Sequence, residues 1–109
     1  MRLHAAWAVA AAILILDDTS YSAKVLTQKV MESGLSGLGR LGGETPVRTL
    51  VAQMSKAHHG QDLFEPDYMR KGVYGIADVD AASKLPEVIA AIADLRRQRL
   101  ESGSPILSR

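Results

Sequence analysis

The 109-residue sequence contains no cysteine. Disulfide staples, thiolate metal sites and cysteine nucleophiles are thereby excluded, and a cytoplasmic setting is expected. Aromatic residues are few: one tryptophan, one phenylalanine and three tyrosines. Neither sign of charge dominates, since thirteen Lys and Arg face twelve Asp and Glu, a net charge of +1. That argues against an indiscriminate, strongly basic nucleic-acid binder, whose attraction comes mainly from neutralised phosphates. A locally basic face remains open. The one long apolar run, Ala5 to Leu16, has twelve residues, short of the about 20 needed to span a bilayer. Behind Arg2 it resembles the start of a signal peptide, but Ser20 and Ser22 make a poor cleavage pattern. It reads instead as a buried first helix, and no membrane partner is expected.

What is present describes an ordinary globular chain, with 47% hydrophobic and 23% charged residues. The spacing organises it around Gly42 to Met54. Thr45 suits an N-cap and Pro46 a first helical position, where its missing N–H is no loss. Val47, Leu50, Val51 and Met54 then recur at helical spacing, which predicts a helix ending near Ala57, with His58-His59-Gly60 as its exit. Its other face carries Thr45, Thr49, Ala52 and Lys56, flanked by Arg48, Gln53 and Ser55. Small, polar and cationic side chains in that arrangement suit a helix laid in a DNA major groove.

Two helices precede it. The first, Leu3 to Leu16, is apolar on nearly every side and should be enclosed by other elements. Asp17-Asp18-Thr19-Ser20 ends it. Ser22 can cap a second helix, Ala23 to Ser33, with Gly34 in the left-handed closing position and Leu35 packed after it. Ser33 to Gly43 holds five glycines in eleven residues and reads as a loop. After the third helix the period changes. Asp62 to Glu65 and Val73 to Ile76 read as short strands, joined by a turn over Pro66 to Gly72 that carries Arg70 and Lys71. A last helix is expected from Pro86 to Glu101, with Leu85, Val88, Ile89, Ile92 and Leu95 on its apolar face.

The fold expected is mainly α with a small β-hairpin: a winged helix-turn-helix, three helices plus a wing, with an extra C-terminal helix. Residues 1–80 would form that domain, 81–101 a helix packed on it or dimerising, and 102–109 a tail or linker.

No enzyme signature is present. The paired carboxylates Asp17-Asp18 and Asp78 with Asp80 each sit at a helix edge or in a loop, where capping is the usual role. His58-His59 lacks cysteine or carboxylate partners at metal-ligand spacing, so no metal and no cofactor are expected. The glycines of residues 34 to 43 match neither a Walker A loop nor a dinucleotide fingerprint. Trp7 falls at core spacing on the first helix, and His4 alone means little.

In order and spacing these pieces resemble the HARE-HTH domain, a winged-helix family. The family occurs in restriction endonucleases, the delta subunit of bacterial RNA polymerase and the additional-sex-combs-like chromatin proteins. The resemblance rests on the alanine-rich first helix, Glu32-Ser33-Gly34-Leu35 and Gly43-Glu44-Thr45-Pro46. Thr49-Leu50, Phe64 and Gly72-Val73-Tyr74-Gly75-Ile76 complete it, over about Leu3 to Ala77. It implies a module of a restriction-modification or transcription system. The partner expected is double-stranded DNA, read by Thr45, Arg48, Thr49, Gln53 and Lys56 on the third helix. Tyr68, Arg70 and Lys71 on the wing would join them, with Lys24, Gln28 and Arg40 holding phosphates. The alternative is a protein-interaction or dimerisation module on the same fold, serving a homodimer or a larger complex. Near-neutral charge, two apolar terminal helices, and Glu44 where the family commonly has lysine motivate it.

Overall fold

The structure, a computed structural model, describes residues 3–38, 46–55 and 63–101. It is mainly helical, with one small antiparallel sheet. Helix α1 spans Ala6–Asp17. It starts later than the apolar spacing predicts because residues 3–5 are extended: the N–H of His4 donates to the carbonyl of Leu35 at 2.7 Å, and His4 pairs with Ser36 in a parallel bridge. The α1 sequence is apolar all round, and the fold encloses it. Ala8, Val9, Ala10, Ala11 and Ala12 are fully buried, and α1 packs against each of the other long helices. Alanine makes this possible, since a methyl side chain allows neighbouring helices to come close on several sides. Asp18, in the left-handed region at φ 52°, closes the helix.

Strand β1, Tyr21–Ser22, follows directly. Helix α2 spans Ala23–Ser33, capped by Ser22, whose hydroxyl accepts the N–H of Val25 at 3.2 Å. Its buried face is Leu26, Thr27 and Val30, and Gly34 at φ 68° turns the chain out of it. Leu35 is then buried, as the closing motif predicts. Helix α3, Pro46–Ser55, buries Leu50 and Met54. Strands β2, Phe64–Pro66, and β3, Val73–Ile76, form the hairpin.

The sheet has three strands where the sequence suggested two, in the order β1-β3-β2. Tyr21 pairs with Tyr74 and Ser22 with Val73 on one side; Phe64 pairs with Ile76 and Pro66 with Tyr74 on the other. Pro66, which has no N–H, lies on an edge strand, where proline is tolerated.

A short helix α4, Val79–Ala82, was also not expected; Asp78 caps it by accepting the N–H of Ala81 at 3.1 Å. Helix α5 covers the expected Pro86–Glu101 and sets Val88, Ala91 and Leu95 against α1. Polar ties reinforce this packing. Gln98 donates to the carbonyl of Ser33 at 2.6 Å, and Arg99 pairs with Asp17 at 2.9 Å. Asp17 also accepts the hydroxyl of Tyr21 at 2.7 Å, which raises the Tyr21 phenol pKa with help from desolvation. No helix among the described residues is long and apolar enough to cross a membrane.

Candidate nucleic-acid interface

The turn from Asp67 to Gly72 joins β2 to β3, and Asp67 organises it. Its N–H donates to the carbonyl of Val73 at 2.8 Å, and its carbonyl accepts the N–H of Arg70 at 3.2 Å. Its carboxylate accepts the N–H of Met69 through one oxygen and Nε of Arg70 through the other, both at 2.8 Å. The Met69 N–H first, and then Arg70, hold the Asp67 carboxyl below its usual range. Gly72 ends the turn at φ 81°, a conformation that favours glycine. Tyr68 and Met69 at the tip are each 91% exposed, and Arg70 and Lys71 follow them into solvent.

The base of this turn is fastened to α2. The N–H of Ala23 donates to the carbonyl of Gly72 at 2.9 Å. Lys24 and Lys71 are each the immediate neighbour of a residue in that bond, and both are exposed. Two cations from distant parts of the sequence thus flank one backbone contact, beside the amino end of α2 with its partial positive charge. Arg70 contributes less free charge, because its Nε already engages Asp67.

Further along α2, Gln28 is exposed but donates to Glu32 at 3.0 Å. A shallow groove of about 450 Å³ separates this face from the start of α3, lined by Lys24, Thr27, Met31, Pro46 and Val47 among others. On α3 itself, Arg48 points to solvent and Thr49 is half-buried. Gln53 does not join the outward face. Its side-chain oxygen accepts the N–H of Trp7 at 3.3 Å, capping the first turn of α1, where backbone donors have no helical partner. Trp7 itself packs half-buried against the core. Thr45, Lys56 and Arg40 lie outside the described residues, as do Glu44, His58 and His59.

The structure therefore ties the chain next to Lys24 to the chain next to Lys71, leaves Arg48 exposed and engages Gln53 with α1. Sequence reasoning singled out Tyr68 but passed over Met69 beside it. The available signal was the run Asp67-Tyr68-Met69-Arg70-Lys71-Gly72: with Asp67 capping the turn, both large side chains fall at the tip. Of the paired carboxylates, Asp17 holds Tyr21 and Arg99, and Asp78 caps its helix. Among the described residues no three His, Asp or Glu cluster where they could hold a metal ion. Comparison of the chain with protein-family models, curated protein sequences and solved structures returns no match.

Proposed function

We propose that the chain is a winged helix-turn-helix module that binds duplex DNA, with α3 offered to the major groove and the β2–β3 turn as the wing. The order α1-β1-α2-α3-β2-β3, with β3 central in the sheet, supports the winged-helix reading. The observation that carries the DNA reading is the bond between Ala23 and Gly72, because it joins wing and α2 into one surface with Lys24 and Lys71 at the seam. On this reading those two lysines hold phosphates, and Arg48 and Thr49 approach base edges from α3. The resemblance to HARE-HTH domains points to a restriction-modification or transcription system as the setting.

The test is titration of duplex DNA followed by anisotropy over a series of salt concentrations. Changing Lys24 and Lys71 together to Ala should lower affinity and flatten the plot of log K against log salt by about two. An unchanged slope removes the seam from the binding surface.

A second reading keeps the fold and replaces DNA with a protein partner or a second copy. The groove between α2 and α3 favours it, because Met31 lies 41% exposed beside Pro46 and Val47. Failure to bind any duplex at low salt, together with a mass in solution that rises with concentration, would select this reading.

A further inference from the structure

The tip of the β2–β3 turn presents two large side chains that the fold itself does not use. Tyr68 and Met69 are consecutive and each 91% exposed. The backbone beneath them is fixed by five hydrogen bonds within residues 67–73, two of them to the Asp67 carboxylate. A loosely held turn would let such side chains fold back onto the sheet; this one holds them outward in advance. Ordering lost before contact is not lost again during it, so a rigid tip strengthens whatever insertion it makes.

The surrounding charge selects the partner. Arg70 and Lys71 follow the tip directly, and Lys24 is the exposed residue after Ala23, whose N–H meets the carbonyl of Gly72. The carboxylate of Asp67 accepts the Met69 N–H and Nε of Arg70 rather than facing outward alone. An apolar point with cations behind it is complementary to stacked bases with phosphates on either side. With α3 offered to the major groove, the tip is left the adjacent minor groove, about 6 Å wide, which admits side chains but no helix.

We infer that Tyr68 and Met69 form a wedge that enters the minor groove and opens one base step, bending the duplex, while Lys71 and Lys24 hold the flanking phosphates. Apolar side chains inserted between base steps unstack them and kink the axis toward the major groove. Pyrimidine–purine steps, TpA above all, open most readily, so this tip selects for them without a hydrogen bond to any base. The inference rests on the duplex-DNA reading above and adds to it a mode of recognition that phosphate contacts alone do not supply.

The experiment uses the full chain and a short duplex with 2-aminopurine replacing adenine at a single TpA step, and donor and acceptor dyes at its ends. Binding should raise 2-aminopurine fluorescence several-fold and shorten the end-to-end distance. It should also be about tenfold tighter than to a duplex whose centre is a stiff A-tract. The double variant Tyr68→Ser with Met69→Ser, confirmed folded by circular dichroism, should bind both duplexes equally, with the wild-type salt slope and neither optical change. Wild-type binding without any rise in fluorescence overturns the wedge while leaving the DNA reading standing. So does a rise that survives in the double variant. Absence of wild-type binding to either duplex at low salt overturns the DNA reading and the wedge with it.

Discussion

Nε2 of His4 and a carboxylate oxygen of Asp94 stand 2.6 Å apart, tying the extended start of the chain to the middle of α5. An ionised carboxylate only accepts, so the imidazole donates. The other oxygen of Asp94 takes Arg97. The His4 bond, with help from the Arg97 charge, holds the Asp94 carboxyl below its ordinary range in spite of desolvation.

That shift has a pH dependence of known sign. A carboxyl whose pKa is lower folded than unfolded contributes its full stability above the ordinary value of about 3.9, and loses it as pH falls through the folded value. Asp94→Asn should therefore lower the melting temperature near neutral pH by a few degrees, about 1 kcal/mol for a partly exposed pair. Thermal melts taken at falling pH should show wild type and variant converging below about pH 4. A constant gap across that range would mean the carboxylate charge plays no part.

Gly75, opposite Glu65 in the sheet, leaves no room for a side chain. A Cβ there would lie 2.6 Å from Oγ of Ser20 but 3.6 Å from its Cβ. Gly75→Ala should cost about 1 kcal/mol as the serine hydroxyl is pushed aside. Adding Ser20→Ala removes the offending atom and should recover most of that loss, a coupling visible in a double-mutant cycle from chemical denaturation. Additive losses would place the strain elsewhere.

Gln53 tests whether a polar residue on α3 serves the fold or the ligand. Its oxygen accepts the Trp7 N–H, so Gln53→Ala should destabilise the free protein by about 1 kcal/mol. Gln53→Glu keeps an acceptor at the positive end of α1 and should retain more stability than the alanine variant. If Gln53→Ala melts like wild type yet changes which duplex sequences are bound, the side chain reads bases after all.

The alanines of α1 supply a packing test. Ala11 is fully buried, whereas Ala93 on the outer face of α5 is exposed. Ala11→Leu should destabilise by about 1–3 kcal/mol through overpacking, while Ala93→Leu stays within about 0.5 kcal/mol of wild type. Equal tolerance at both positions would show that the packing around α1 can relax.

These residues also mark what could be read from the chain alone. Helices α2, α3 and α5 were legible because their signals are local: Ser22 as a cap, Pro46 and Pro86 at first turns, Gly34 at an exit. Strand β1 was not, since two residues carry no period and Tyr21–Ser22 becomes a strand only through pairing with β3. Helix α4 is likewise too short to show one. His4 gave no signal because its partner lies ninety residues away. The bond from Trp7 to Gln53 was not legible, because helical spacing separates apolar from polar faces and cannot show that a backbone donor of α1 lies at their boundary. On the candidate interface, the cations were legible singly; the Ala23–Gly72 bond between the segments that carry Lys24 and Lys71 was not, because it joins distant parts of the chain.

The enclosure of α1 has a consequence for how the protein is made. A chain leaves the ribosome amino end first, at about 5–20 residues per second. Helix α1 packs most extensively against α5, and Val88, Ala91 and Leu95 of that last helix are part of its covering. Val9, Ile13 and Leu14 are thus synthesised early and covered late, on the order of ten seconds later at the slower elongation rates. Helices α2 and α3 are made sooner and cover other sides of α1, so it is the side facing α5 that stays open through that interval. Among the described helices, α5 is the one whose arrival closes the last apolar side of α1.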